Sequence, residues 1–197
     1  MTETTIEAAL ALAVASLRNR KRRFALVGGL AVSVRAEVRF TRDVDLAVAV
    51  NDDADAESLV RDLRADGFTV AATVEHDVQE RLSTVRLVIR GVKVDLLFAS
   101  SGIEPEIVSG AADVEVLNVG PIPVALAEDL LAMKVLSMTE RRLQDRIDAQ
   151  KLLRVREDLD VDRVRRQLEL VTKRGFNRNQ DLSAKLDALL RERDART

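Results

Sequence analysis

Three aspartates have the types and spacing that metal-dependent chemistry needs. Asp43 and Asp45 stand two residues apart in the alternating segment 43–50, and side chains at i and i+2 of a strand lie on one face. Asp95 occupies a similar position in the alternating segment 92–98. Neighbouring carboxylates repel each other unless they share a cation. Three of them can hold two Mg²⁺ ions about 3.5–4 Å apart, the arrangement used for in-line phosphoryl chemistry.

A pair of glycines supplies the second chemical feature. Gly28 and Gly29 follow the apolar segment 23–27 and precede a predicted helix over residues 30–38. Glycines at such a turn let backbone N–H groups approach a phosphate, and a helix N-terminus favours its negative charge. Together with the aspartates they predict a phosphate-binding metal site. The other interpretation of the Asp43–Asp45 pair is an exposed strand end where two carboxylates meet water.

These residues need an α/β core to bring them together. Apolar periodicity predicts helices and strands in alternation up to residue 98. The helices cover 3–18, 30–38 and 56–65, and the strands cover 23–27, 43–50, 68–73, 82–90 and 92–98. A short helix after residue 102 and an alternating segment over 114–119 follow. From residue 124 onward only helices are predicted, with breaks near 158–160 and 175–179. We therefore expect a core over residues 1–122 and a helical region over 123–197.

Composition excludes several classes of function. The 197 residues contain no cysteine and one histidine, and 3% of them are aromatic. Thiolate zinc sites, cysteine nucleophiles and histidine-centred triads are therefore excluded or very unfavourable. The formal net charge is -2, but residues 1–133 hold 14 basic and 21 acidic side chains, whereas residues 134–197 hold 17 and 12. The basic helical region is either an ordinary solvated surface or a docking face for a polyanion.

The motifs resemble those of a known superfamily. The paired glycines, the following helix, the segment RFTRDVD at 39–45 and the later Asp95 resemble the polymerase-β-like nucleotidyltransferases. The tract EDLLAMKVLSMTERRLQDRIDAQKLL at 128–153 resembles the AbiEii/MenT group, the toxins of type IV toxin–antitoxin systems. This resemblance implies a nucleotidyltransferase core with a mixed sheet, followed by a C-terminal helical bundle.

The resemblance also implies roles for individual residues. Mg²⁺ would be bound by Asp43, Asp45 and Asp95, and Asp95 would help to activate the attacking hydroxyl. The nucleoside triphosphate, with CTP or UTP favoured, would be held by a second set of residues, namely Gly28, Gly29, Arg39 and Lys134. The later acidic position of the family is matched by Asp148 or by its neighbour Asp145. A surface Lys134 that extends its amine into water is the alternative for that residue.

The implied activity is nucleotide addition to the 3′ end of tRNA, often of pyrimidines, which blocks aminoacylation and growth. A cognate antitoxin would restrain this activity, and the resemblance implies that Thr41 is the site that the antitoxin phosphorylates. Two alternatives remain open: transfer to a protein hydroxyl or to a small molecule such as an aminoglycoside, and a non-catalytic regulatory pseudo-transferase. The apolar run 6–17 is too short to cross a membrane, so we expect a cytoplasmic protein without a membrane partner.

Overall fold

The computed structural model describes residues 5–76, 81–116, 118–155 and 158–195. Its helices are α1 (Ile6–Asn19), α2 (Gly28–Arg35), α3 (Asp53–Ala65), α4 (Glu104–Gly110), α5 (Ala127–Ser137), α6 (Leu143–Val155), α7 (Val161–Lys173) and α8 (Leu182–Asp194). Its strands are β1 (Phe24–Val27), β2 (Asp43–Val48), β3 (Thr69–His76), β4 (Arg81–Ile89), β5 (Val92–Leu97), β6 (Ala112–Val116) and β7 (Gly120–Val124). This mixed α/β architecture confirms the predicted fold class.

The seven strands form one mixed sheet in the order β3-β4-β5-β2-β1-β7-β6. Strand β2 pairs in antiparallel fashion with β1 and in parallel fashion with β5, and β4 pairs in antiparallel fashion with β5. The register of the parallel pair sets Asp45 directly beside Asp95. The two aspartate-bearing strands are therefore neighbours at the centre of the sheet.

Alternating burial explains how β2 presents its aspartates. Val44, Leu46 and Val48 are fully buried in the core, whereas Asp43 and Asp45 are half-buried on the opposite face. Successive side chains of a strand point to opposite faces, so packing of the apolar residues fixes the direction of both carboxylates. The alternation that predicted this arrangement is confirmed.

The helical region packs as a group around α5. Helix α5 contacts α6, α7 and α8, and α2 of the core contacts both α5 and α6. Between α5 and α7, the fully buried Asp129 carboxylate accepts two hydrogen bonds from Arg163, at 3.1 and 3.0 Å, and one from Gln167 at 2.8 Å. Because burial of an unpaired carboxylate is costly, Arg163 is bound into the structure and is not a free cation for docking.

The structure differs from the predicted elements at several places. Helix α2 ends at Arg35 and not at residue 38, and residues 138–142 separate α5 from α6 where no break was predicted. Helix α2 begins at Gly28 and not at residue 30. Strand β7 was not predicted, since Pro121 and Pro123 interrupt its pattern, yet it pairs along its length with the edge strand β6. It ends at Val124, two residues beyond the expected domain boundary at 122. Residues 3 and 4 of the first predicted helix and residue 117 of segment 114–119 lie outside the described residues.

Within the described parts of the chain, no helix is both long enough and apolar enough to cross a membrane.

Candidate active site

Asp43, Asp45 and Asp95, which we call the strand carboxylates, lie on adjacent central strands. Asp45 and Asp95 are register partners across the parallel pair β2–β5, and Asp43 is one same-face position further along β2. Asp95 is buried, with 8% of its surface exposed. The structure therefore brings the three predicted acidic residues to one face of the sheet.

Arg86 of β4 is a member of this cluster that the sequence did not indicate. It is the register partner of Asp95 across the antiparallel pair β4–β5. Its Nε donates to Asp95 Oδ1 at 2.8 Å and its Nη2 to Oδ2 at 2.6 Å. The charges of Asp95, Asp43 and Asp45 all raise the pKa of Arg86. A basic residue in segment 82–90 was visible in the sequence, but only strand pairing shows which aspartate it faces.

The electrostatics of Asp45 reflect crowding of like charges. Burial raises the pKa of Asp45 to about 6, with further contributions from Asp95 and Asp43. The charge of Lys134 and a hydrogen bond from the Gly29 backbone N–H act in the opposite direction. The ionised form of this carboxyl is therefore disfavoured in the protein alone, and a nearby cation would stabilise it.

The donor set fits a divalent cation at the two aspartates of β2. Both are oxygen ligands of the kind that hard cations prefer, and the mutual repulsion at Asp45 would be relieved by a positive charge. Both oxygens of Asp95 are occupied by Arg86. Among the described residues, no three acidic or histidine side chains converge closely enough to hold a metal by themselves. Asp43 and Asp45 are thus the available ligands in this conformation.

The glycine turn touches the strand carboxylates and has little room for side chains. Gly28 has a φ of +64°, and a Cβ there would lie 2.0 Å from Asp45 Oδ2. A Cβ on Gly29 would lie 2.3 Å from the Arg39 guanidinium and 2.9 Å from Thr41 Oγ1. Positive φ and steric overlap both require glycine at position 28, whereas at position 29 the overlap is mainly with the movable end of the Arg39 side chain. The turn therefore allows the backbone at the start of α2 to lie directly against the carboxylate of Asp45.

Lys134 lies in the interior and not on the surface. Only 8% of it is exposed, so the alternative of a solvated surface lysine is wrong. Its Nζ is 2.8 Å from Asp145 Oδ1 and 2.8 Å from Asp148 Oδ2. Both aspartates are on α6 and both are buried. We call Asp145 and Asp148 the helix carboxylates.

Further donors surround the helix carboxylates. Arg39 Nε lies 3.1 Å from Asp148 Oδ1, and Gln144 donates to the same oxygen at 2.8 Å. Arg142 Nε lies 2.7 Å from Asp145 Oδ2. The structure thus brings together four of the predicted residues, Arg39, Lys134, Asp145 and Asp148. Arg39 also lies over Gly29, so it joins this cluster to the glycine turn.

A cavity of about 150 Å³ connects the two clusters. Its lining includes Gly28 and Asp45 from the core, and Lys134, Arg142 and Asp145 from the helical region. Arg178, from the break between α7 and α8, also lines it. Sequence reasoning did not single out Arg178, because nothing local to residues 175–179 shows that they meet the sheet.

Similar folds occur among known nucleotidyltransferases. The structure matches the antibiotic-resistance factor ANT(2'')-Ia with a TM-score of 0.54 at 17% identity, over 88% of this chain and 94% of that one. It also matches an antigenic nucleotidyltransferase-like protein from Paracoccidioides brasiliensis with a TM-score of 0.51 at 16% identity, over 92% of each chain. No curated protein sequence matches this chain.

The fold is similar to that of known nucleotidyltransferases. The model of one family, the nucleotidyl transferase AbiEii toxin of type IV toxin–antitoxin systems, matches residues 10–197. The chain therefore belongs to the AbiEii family of nucleotidyltransferase toxins. Membership in a toxin–antitoxin family implies an antitoxin partner.

Proposed function

We propose that this protein is a Mg²⁺-dependent toxin that adds nucleotides, with CTP or UTP as the favoured donor, to the 3′ end of tRNA. The observation that carries the proposal is a single cavity lined by both Asp45 and Lys134 in a member of the AbiEii family. Such a cavity offers cation ligands and a positive charge side by side. The tRNA acceptor and the pyrimidine donor are supported by the resemblance to the MenT group. Transfer to tRNA would take place in the cytoplasm.

Each residue then has a stated part in the reaction. Asp43 and Asp45 would hold the divalent cation, with Asp95 as the third acidic group of the site. When bound, the cation neutralises charge on the triphosphate and on the transition state. Gly28 and Gly29 carry no side chains of their own, so the phosphates would approach their backbone beside Arg39, which lies over Gly29. Asp95 would accept the proton of the attacking 3′ hydroxyl, which requires one of its oxygens to leave Arg86.

Nucleotide transfer forms one bond to the α-phosphorus of the donor and breaks another. The 3′ oxygen of the acceptor forms a bond to the α-phosphorus, and the bond between the α-phosphorus and the bridging oxygen breaks. Pyrophosphate leaves with the electron pair of that bond. Lys134 and Arg39 would hold the departing phosphates by charge-assisted hydrogen bonds. Asp148 and Asp145, the candidates for the later acidic role, would hold Lys134 in position, since both contact its Nζ.

This function is tested by incubating the protein with each radioactive NTP and total RNA and then locating the label. We expect label at the 3′ end of tRNA, with CTP or UTP preferred, and loss of aminoacylation. Label on a protein would instead indicate a hydroxyl acceptor, and label in a small-molecule fraction would indicate an antibiotic-type acceptor. No label in any fraction with Mg²⁺ present would support a non-catalytic regulatory protein.

We further propose that phosphorylation of Thr41 inactivates the enzyme. The Thr41 hydroxyl donates to the Asp43 carbonyl oxygen at 3.4 Å and lies beside Gly29. A phosphate there would add a charge of about -1.5 to -2 next to the strand carboxylates. It would compete with the donor for the glycine turn and for the cation.

Substitutions at Thr41 test this control. Thr41→Glu should abolish transfer, whereas Thr41→Val should retain most of it. Thr172→Glu is a matched control, because Thr172 lies on α7 and bonds to Leu168 of its own helix. Mass spectrometry of protein produced together with its antitoxin should find phosphate on Thr41. An unmodified Thr41 in neutralised protein would show that the antitoxin acts by binding alone.

A further inference from the structure

Arg178 is distinguished from the other cations of the cavity by its lack of a carboxylate partner. Lys134 has two carboxylate oxygens at 2.8 Å, and Arg142 has one at 2.7 Å. Arg178 donates to the Ser100 carbonyl oxygen at 3.2 Å, and no carboxylate of the described residues lies within 4.0 Å of its guanidinium. Among the described residues its positive charge therefore has no direct ion pair, although the charges of Glu104 and Asp145 act on it from further away.

Arg178 is exposed at the cavity wall, where solvent screens its charge only in part. Partial burial lowers the pKa of Arg178 and repulsion from Arg142 lowers it further, whereas the charges of Glu104 and Asp145 act in the opposite direction. An arginine remains protonated in proteins in spite of such shifts. Two guanidinium groups that repel each other at a cavity wall are stabilised when an anion binds between or beside them.

The position of Arg178 is fixed by a short segment, residues 174–178, which we call the clamp. Arg174 donates to the Gly102 carbonyl oxygen and forms two hydrogen bonds with Glu106, at 2.9 and 2.7 Å. The Phe176 ring lies so close to Gly102 that a Cβ there would be 2.4 Å from it. Arg178 itself has a φ of +55°. Residues 174, 176 and 178 of the clamp thus all contact one loop of the core, residues 100–106.

This geometry preorganises the side chain for a ligand. A long cationic side chain normally loses considerable rotamer freedom when it binds. Here the side chains of Arg174 and Phe176, which precede Arg178, lie against the core, and one guanidinium nitrogen of Arg178 is already hydrogen-bonded to Ser100. The remaining donors are available, and the planar fork of arginine suits a phosphate.

We propose that Arg178 is a determinant of phosphate number in the donor nucleotide, binding the β- and γ-phosphates of the NTP. This inference rests on the proposed nucleotidyltransfer, because it assigns the ligand of the same cavity. A phosphate of an RNA chain is less suitable, since the cavity of about 150 Å³ is small even for a small-molecule site. Polyphosphate chains are compact and highly charged, and they match a wall that already contains Lys134 and Arg142.

Nucleotide binding by two glutamine variants tests the assignment. Isothermal titration with CTP, CDP and CMP in the presence of Mg²⁺ measures how much affinity each phosphate adds. In the unaltered protein we expect affinity to rise with each phosphate. Arg178→Gln should weaken CTP binding by roughly tenfold to a hundredfold, the loss of a charged hydrogen bond, and should leave CMP binding almost unchanged. The CTP affinity of Arg178→Lys should fall between that of the unaltered protein and that of Arg178→Gln.

Arg174→Gln is the matched control, because it loosens the same clamp without lining the cavity. It should lower the Tm but preserve the gain in affinity from CMP to CTP. If Arg178→Gln weakens CMP and CTP equally, or leaves CTP binding intact, Arg178 is only a clamp residue and the inference is wrong. Should Arg178→Gln fail to fold, an unchanged CTP-to-CMP ratio in Arg178→Lys would overturn it equally. An unaltered protein that binds none of the four NTPs would contradict the proposed function itself.

Discussion

The strand carboxylates and the helix carboxylates are all aspartates, but the two clusters differ in how many positively charged side chains lie beside them. Within the described residues, three strand carboxylates share one guanidinium, that of Arg86. Two helix carboxylates share three cations, Lys134, Arg39 and Arg142. One cluster therefore retains surplus negative charge and the other surplus positive charge. A metal–triphosphate complex presents the complementary pair of charges, and the cavity between the clusters has space for part of it.

The difference shows that clusters of aspartates can have different physical roles in one protein. On the sheet, carboxylates lie beside each other because strand register forces them together, and their repulsion favours a cation. On α6, carboxylates three residues apart bind a buried lysine and hold its amine in place. The following changes test that distinction.

The largest effect is expected from removing a strand carboxylate. Asp43→Asn should lower transfer by roughly a thousandfold or more, because a catalytic metal supplies several kcal/mol of transition-state stabilisation. Folding should be unaffected, since the change also relieves repulsion. Rates measured with saturating NTP and tRNA, together with circular dichroism, check this. Near-normal transfer by Asp43→Asn would remove the strand carboxylates from the active site.

Removing the cation of the other cluster should damage both activity and stability. Lys134→Ala leaves two buried carboxylates with less compensation, so the free energy of unfolding should fall by about 3 kcal/mol. Transfer should fall by more than tenfold, roughly the loss of one charged hydrogen bond. Urea unfolding and steady-state rates measure the two effects.

A double variant separates the two effects. Adding Asp148→Asn to Lys134→Ala should restore much of the stability, because one of the uncompensated charges is gone, but it should not restore transfer. Recovery of both would mean that Lys134 acts only through folding.

The pKa of Asp45 gives the next effect. A folded pKa of about 6, against the ordinary aspartate value of 3.8, means that the folded protein binds more protons between these two pH values. The free energy of unfolding should therefore fall as pH rises from about 4 to 6, by roughly 2–3 kcal/mol from this group.

Asp45→Asn isolates that contribution. The variant should be more stable than the unaltered protein at pH 7 without metal, and the difference should vanish near pH 4. Denaturant unfolding in EDTA across this range provides the comparison. A difference that does not depend on pH would show that Asp45 ionises normally.

The smallest effect is expected at Arg86. Arg86→Gln should lower the free energy of unfolding by about 1 kcal/mol in EDTA, because this arginine is partly exposed and solvent screens its ion pair. It should also free Asp95, so Mg²⁺ should raise the Tm of the variant by more than it raises that of the unaltered protein. An equal rise in both would indicate that Asp95 does not contribute to cation binding.

The sequence predicted the parts of the site that depend on local rules. Alternation placed Asp43 and Asp45 on one face, and the position of Gly28 after an apolar strand predicted the turn. Arg86 and Arg178 were not predicted, because each acquires its neighbours from strand pairing or from contacts with distant loops. Burial of Lys134 also depends on distant packing, since a lysine on an amphipathic helix more often lies at the surface.

Strand β7 was missed for a different reason. Proline lacks the N–H group that a strand donates, and prolines are therefore rare inside sheets. Pro121 and Pro123 are tolerated because β7 pairs fully with β6 and shares only the register pair Leu26–Val124 with β1. The two prolines therefore indicated correctly that this segment is not a strand paired along its whole length on both sides.

The central place of β2 in the sheet has a consequence for motion. Amides of β1, β2 and β5 are hydrogen-bonded on both sides or deeply packed, so their hydrogen exchange should require near-global unfolding. The clamp and residues 36–42 have no such ladder and should exchange through small local openings. The wall of the cavity that the sheet supplies should therefore exchange most slowly, and the clamp should exchange faster. Protection gained on nucleotide binding should accordingly appear in the helical region and scarcely at all in the sheet.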